Sequence, residues 1–319
     1  IGFDTGYFAK CLTNPLFLPE TKLTRQEFGD VRNFPEELLE GVDGIVYLAA
    51  ISNDPMGNKY EEITMDVNYR AAVQLAGKAK QKGVGSFVFA SSCSMYGEAD
   101  DLAKVETDQL NPLTAYARSK VYAERELEPL ADADFTITSL RFATACGFSY
   151  RLRLDLVLND FLAGAVTSNE LSILSDGTPW RPLINVLDMA RAIDWAIARK
   201  KDNGGEFLAV NTGSNVWNYQ VKELADAVAE VVSGVKVSVN PDAPPDKRSY
   251  KVNFDLFKKL APDHQPVHDL KSTIQALYDN LSEMGFDDVN YRESHLTRLS
   301  VLNVLQEKNY LNSNLEWGW

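Results

Sequence analysis

The chain has 319 residues, 45% of them hydrophobic and 24% charged, enough to bury a full core as one large or two modest domains. A formal net charge of -13 works against non-specific binding to nucleic acid or anionic membrane, and no apolar run reaches the about 18 residues of a membrane span. Three scattered cysteines (Cys11, Cys93, Cys146) without metal spacing or a secretory signal read as free thiols of a reducing, cytoplasmic compartment, and the three histidines (His264, His268, His295) fall late, which leaves the centre without histidine chemistry.

Ile1-Gly2-Phe3-Asp4 reads as the tail of a buried strand ending in an acid, and Asp30-Val31-Arg32 follows a longer polar stretch. Gly44 to Ala50 is too apolar to alternate, which predicts a strand buried on both faces. Over 66–82 the positions Val67, Ala71, Leu75, Ala76 and Ala79 recur at helical spacing and stop at Gly83. Ser86 to Ser92 is the next buried strand. Thr114 is the cap candidate of a helix carrying Tyr116 to Lys120, and Phe135 to Arg141 is a further strand. Strands alternating with helices at this spacing predict an α/β fold with a parallel sheet covered on both faces.

After Gly147 the rhythm loosens. Helices are predicted over 155–167, 187–199 (capped near Asp188) and 219–232, with a turn at Asp176 to Pro179 and a loop at Pro241 to Pro245. A helical pattern near 294–307 precedes a tail ending on Trp317 and Trp319, whose apolar residues would cover either the second domain or a partner subunit. The second half thus predicts a smaller domain folded against the first.

Tyr116 and Lys120, four residues apart, share a helix face at about 6 Å. An ammonium beside a phenol favours the phenolate and lowers its pKa, which suits Tyr116 to acid/base work near neutral pH. By itself such a pair is expected about once by chance in a chain of this length. Upstream, Ser91-Ser92-Cys93-Ser94-Met95-Tyr96-Gly97 ends a strand, and the carboxyl ends of parallel strands are where such sheets hold ligands. The strand-end serine, the Tyr-x-x-x-Lys helix and Asp4 at an early strand end fit together better than chance allows.

With these pieces in place, nearly the whole chain resembles the extended short-chain dehydrogenase/reductases, within them the NAD-dependent nucleotide-sugar epimerase/dehydratase family (UDP-glucose 4-epimerase-like). The likeness rests on Gly2-Phe3-Asp4, Asp30-Val31, Leu48-Ala49-Ala50, Ser91 to Gly97, Tyr116 to Lys120, Leu140-Arg141 and Arg181 to Asp188. It implies a Rossmann-type, doubly wound parallel sheet binding NAD in 1–146 plus about 183–213. It implies a smaller α+β nucleotide-sugar domain with a helical tail in about 147–182 plus 214–319. Asp4 would hold the adenosine ribose, Asp30 and Val31 would flank the adenine, and Leu48, Ala49, Ala50 and Ser91 would line the cofactor. Tyr116 would be the acid/base, Lys120 the ribose ligand and Ser92 the partner hydroxyl. Asn159, Arg181 and Arg248 would meet the diphosphate, and Ser52, Asn53, Ser94 and Thr144 the rest of the substrate. The family also implies a homodimer through helices matching 66–82 and 114–128.

Departures from the pattern narrow the expectation. The family's first strand and Gly-x-x-Gly-x-x-Gly turn, which seats a pyrophosphate on a helix N-terminus, do not appear, so weak NAD retention is expected. Cys93 and Ser94 stand where sugar 4,6-dehydratases of the family carry an Asp-Glu pair, which argues against elimination. Thr144 and Asn185 replace the family's Asn and His. The expected activity is therefore epimerisation at C4 through a 4-keto sugar. A nucleotide-sugar 4-dehydrogenase or 4-ketoreductase needs the same Ser, Tyr, Lys and nicotinamide and stays open, as does a non-catalytic fragment or binding member.

Overall fold

The structure, a computed structural model, describes residues 1–13, 15–99, 102–173, 175–239 and 248–318. The loop expected at Pro241 to Pro245 and the terminal Trp319 lie outside the described residues. The chain begins with β1 (Gly2–Asp4) and β2 (Gln26–Phe28), paired in parallel. It continues through β3 (Gly44–Tyr47), α1 (Asp54–Lys59), α2 (Glu61–Met65), a π turn at Asp66–Arg70 and α3 (Ala71–Gln81). β4 (Ser86–Ser92), α4 (Ala115–Leu127) and β5 (Thr136–Phe142) follow. Next come β6 (Thr144–Cys146), α5 (Val157–Ser168), β7 (Glu170–Ile173), β8 (Trp180–Asn185), α6 (Val186–Ala198) and β9 (Phe207–Thr212). The chain ends through β10 (Asn218–Gln220), α7 (Val221–Val231), β11 (Lys236–Val239), α8 (Asp255–Leu260), α9 (Leu270–Glu283) and α10 (Arg298–Glu307).

The main sheet is parallel throughout, in the order β3-β4-β5-β9. Strand pleating sorts its side chains onto two faces. Phe87, Phe89 and Ile137 pack on one side against Ala72, Ala76 and Ala79 of α3 and Ala123 and Leu127 of α4. Val88, Leu140 and Val210 pack on the other against Ala192, Trp195 and Ala196 of α6. The alanines let the helices approach the sheet closely. This is the expected doubly wound, Rossmann-type α/β arrangement.

The later part of the chain builds the small sheets β10-β8-β6 and β11-β7 around its own core. Leu158, Phe161 and Leu162 of α5, Leu224 and Val228 of α7, and Ile274, Leu277 and Leu281 of α9 meet there. β3, expected to be buried on both faces, is open on one, with Val46 exposed, and two further details correct the sequence reading. The helix expected from 187 starts at Val186 and is capped by Asn185, whose Oδ1 accepts from the Leu187 N–H at 2.9 Å. Asp188 instead lies inside the first turn and accepts from the backbone N–H groups of Val267 and His268 at 3.0 and 3.2 Å. The tail, for its part, turns back onto the residues that follow β1. Trp317 Nε1 donates to Thr5 O at 2.7 Å, Tyr7 donates to Leu315 O, and Leu311 and Leu315 join Ile51, Met56 and Tyr60 in a common core.

The turn that carries the chain out of β4 depends on Gly97. Its φ is +61°, and a Cβ there would run into the Asn111 carbonyl. Gly97→Ala is expected to cost at least about 2 kcal/mol, clearly more than Gly41→Ala, where φ is +71° but nothing lies near the added carbon. Equal losses in thermal melts of the two variants would show that the Asn111 contact does not matter.

Candidate active site

Tyr116 sits in the first turn of α4, which the Thr114 side chain caps by accepting from the Ala117 N–H at 3.2 Å. One turn on, Lys120 is 2% exposed. Its Nζ donates to the Ala90 carbonyl at 2.7 Å and lies 5.6 Å from the centre of the Tyr116 ring and 4.6 Å from that of Phe89. Ser92, at the end of β4, stands near enough to the Tyr116 phenol to lower its pKa, and its Oγ accepts from the Ser94 N–H at 3.1 Å. The chain thus brings Ser92, Tyr116 and Lys120 together at the carboxyl end of the parallel sheet.

The electrostatics differ from the expectation of a lowered phenol. Burial dominates at both groups. It drives the Lys120 ammonium down to about 7 against the pull of Glu124. It also pushes the Tyr116 phenol up, opposed by the Ser92 hydroxyl and the Arg153 charge and reinforced by Asp54. A lysine that sheds its proton this easily is a weak electrostatic lever on its neighbour.

Two buried groups that the sequence reading did not single out fix the geometry. Glu124 receives Arg141 on both oxygens, with Nη2 to Oε2 at 2.7 Å and Nε to Oε1 at 3.2 Å, and accepts the Ser91 hydroxyl at 2.6 Å. Arg141 Nη1 reaches on to Tyr96 Oη at 3.2 Å, and Tyr96 donates to Asn211 at 2.7 Å. Asn68, in the π turn, accepts from the Ile51 N–H at 2.8 Å and donates to Ile51 O at 3.0 Å and Ser119 Oγ at 3.1 Å, which ties the loop after β3 to α4. The available signals were the Lys120-to-Glu124 helical spacing, and a polar Asn68 on the face of Ala71 and Ala72.

The other expected residues divide by what their side chains do. Asp4 lies exposed at the end of β1, with Oδ1 accepting from Gly6 N at 2.6 Å. Asp30 is engaged by Arg32 through its backbone N–H and Nε at 2.9 Å each, beside a buried Val31. Leu48, Ala49 and Ala50 form the exit of β3, with Leu48 exposed. Ser91, expected to line the cofactor, is instead buried and spent on Glu124. Asn159, expected to meet a diphosphate, is 1% exposed, and its amide is taken by Gly147 N, Gly147 O and Arg153 O at 2.9, 3.2 and 2.9 Å, so it shapes a loop. Arg181 stands on β8 and donates to Trp180 O at 2.8 Å, while Arg248 pairs with Asp54 at 2.6 Å. Thr144 is half-buried on β6, and the Ser94 Oγ is buried with no hydrogen-bond partner among the described residues. Ser52 and Asn53 meet Arg153 and Asp155 at 2.9 and 2.6 Å. Among the described residues, no group of three or more His, Cys, Asp or Glu side chains is disposed to hold a metal, and no helix is long and apolar enough to cross a membrane.

Comparison with known proteins bears on this arrangement directly. The profile of the NAD dependent epimerase/dehydratase family matches residues 10–213. A UDP-glucose 4-epimerase of Corynebacterium glutamicum is 25% identical over 81% of this chain and 82% of its own length. An uncharacterized UDP-glucose epimerase, YtcB of Bacillus subtilis, is 29% identical over 70% of this chain and 69% of its own length. Among solved structures, MoeE5 in complex with UDP-glucose and NAD shares the fold with a TM-score of 0.73 at 23% identity, covering 89% of this chain and 99% of that one.

The buried groups yield two expectations. Removing one member of the Glu124–Arg141 pair, as in Glu124→Gln, is expected to cost about 3–5 kcal/mol in denaturant unfolding, and the double change Glu124→Leu with Arg141→Met to recover most of it. A full loss retained in the double variant would reject the pair as the source. For Lys120 the folded pKa of about 7 lies below the ordinary 10.5, so the unfolded chain binds more protons between those values. The cost of burying the charge is therefore complete below pH 7 and fades as pH rises toward 10.5. Lys120→Met should melt higher relative to wild type at pH 6 than at pH 9; a difference independent of pH would show that the lysine is not buried as a charge.

Proposed function

The chain belongs to the NAD dependent epimerase/dehydratase family, and from that membership we propose that it is a nucleotide-sugar epimerase working at C4 through a 4-keto sugar, with Tyr116 as the acid/base. Enzymes of this family use NAD. The observation that carries the reading is the convergence of Ser92, Tyr116 and Lys120 at the strand ends. We divide the chain into a cofactor part, 1–146 plus about 183–213, and a substrate part, about 147–182 plus 214–319.

The residues present suit NAD at two places. Asp4 offers a carboxylate to ribose hydroxyls and would repel a 2′-phosphate, and the small Ala49 and Ala50 leave the strand end open. Lys120 and Tyr116 take the nicotinamide side. When bound, NAD supplies the hydride chemistry at one sugar carbon, accepting the hydride and returning it. The protein does the rest. Tyr116 takes the proton of the C4 hydroxyl and later returns it, while the Ser92 hydroxyl holds the same oxygen through both steps. Arg181 and Arg248 offer guanidinium forks to the diphosphate, which anchors the nucleotide while the sugar turns.

Epimerisation is favoured over elimination because the nearby carboxylates are already committed. Asp54 serves Thr114 and Arg248, and Asp155 serves Arg153 and Asn53. Cys93, in the place of an acid, is buried and donates to Arg141 O at 3.0 Å, with burial raising its thiol pKa far above the usual range. A homodimer through the outer faces of α3 and α4, where Tyr122 is exposed, fits the same reading.

Tyr116→Phe is expected to lower kcat by about two to four orders of magnitude with an unchanged melting temperature. The assay follows interconversion of C4 epimers, with UDP-glucose as the first probe and no net change in NAD. Activity retained by the variant would reject Tyr116 as the acid/base.

A further inference from the structure

Beside Tyr116 the fold ties a second polar knot that the proton-transfer chemistry leaves unused. It joins the loop after β3, through Ser52 and Asn53, to the segment between β6 and α5, through Arg153 and Asp155. Arg153 grips Asp155 in a two-point fork, Nε to Oδ1 and Nη2 to Oδ2, both at 3.0 Å. Asn53 Nδ2 donates to the same Asp155 Oδ2 at 2.6 Å, and Arg153 Nη1 donates to Ser52 Oγ at 2.9 Å. The backbone of Arg153 is itself held by Asn159, whose amide donates to its carbonyl at 2.9 Å.

The knot lies next to the reacting centre. Asn53 also caps α1 by accepting from the Met56 N–H at 2.9 Å. Gly57 of that helix is packed so tightly on Tyr116 that a Cβ would stand 3.3 Å from its backbone nitrogen. The guanidinium and the phenol are close enough for the Arg153 charge to favour the phenolate. What the knot offers outward is unequal, since the Arg153 side chain is 23% exposed and that of Asp155 10%. A ligand therefore meets N–H donors whose charge is already balanced from behind. That combination suits a neutral oxygen acceptor.

We propose that Arg153 is the residue that recognises the sugar itself, donating to a hydroxyl or keto oxygen of the hexose held against Tyr116, with Asp155, Ser52 and Asn53 keeping the guanidinium at a fixed angle. This rests on the nucleotide-sugar reading above and adds to it a division of labour. Arg181 and Arg248 hold the diphosphate, and Arg153 reads what the diphosphate carries. A guanidinium fixed by a bidentate partner needs no reordering on binding, and a sugar lacking the matching oxygen leaves its N–H groups unpaired.

The test compares ligands with and without the sugar. The NAD-loaded protein is titrated calorimetrically with UDP, dTDP and GDP and with the corresponding hexose conjugates. In the series that wild type binds, Arg153→Met is expected to leave the affinity for the diphosphate within about twofold and to weaken the conjugate about tenfold or more. Equal weakening of both ligands, or of neither, overturns the proposal. Wild type binding no conjugate in any series overturns the nucleotide-sugar reading instead. Should Arg153→Met fail to melt cooperatively, Ser52→Ala carries the same comparison, because it removes one bond and leaves the ion pair; a smaller loss confined to the conjugate supports the proposal and an unchanged conjugate affinity rejects it.

Discussion

Glu124 and Arg141 face each other in the core with side chains 7% and 8% exposed, and neither has water to fall back on. Such a pair adds little net stability over apolar side chains of the same volume, but it tolerates one geometry only. Glu124 belongs to α4, Arg141 to β5, the Ser91 hydroxyl that joins them to β4, and Tyr96 carries the network to Asn211 on β9. Three neighbouring strands and the helix that carries Tyr116 are thereby locked in register. The Ser92–Tyr116 contact is a consequence of that lock, because Ser92 follows Ser91 directly and Tyr116 lies two turns before Glu124.

Burial also explains why the Tyr-x-x-x-Lys spacing predicted the positions of the two side chains better than their electrostatics. Helical geometry sets Tyr116 and Lys120 on one face in any environment. The charge on each depends on solvent access, which spacing does not encode. Once Lys120 is enclosed with a single carbonyl acceptor, desolvation outweighs its attraction to Glu124. The phenol then takes its tuning from Ser92, Arg153 and Asp54, which lie far from it in the chain.

The elements legible in the sequence are those whose pattern is local. Ser86 to Ser92 and Phe135 to Arg141 are apolar runs bounded by turns, and both are central strands. Thr114 stands before the helix it caps. Harder were elements whose partner supplies the evidence. β8 contains Pro182, which argues against a strand until β6 and β10 are seen on its two sides. β6 is 3 residues long and exists only by pairing with β8. α9 buries a narrow stripe of Thr273, Ile274, Leu277 and Leu281 among polar residues, a weak signal without the core of α5 and α7 beneath it. Of the site, Ser92, Tyr116 and Lys120 lie near one another, whereas Glu124 and Asn68 offer only their helical spacing as a signal and Arg153 offers none.

Asp54 divides its two oxygens between Thr114, the cap of the helix bearing Tyr116, at 2.7 Å, and Arg248 at 2.6 Å. One carboxylate on α1 thus clasps the start of α4 to a residue 194 positions further along the chain than Asp54. Where α4 begins is therefore set in part by a contact that no local stretch of sequence encodes.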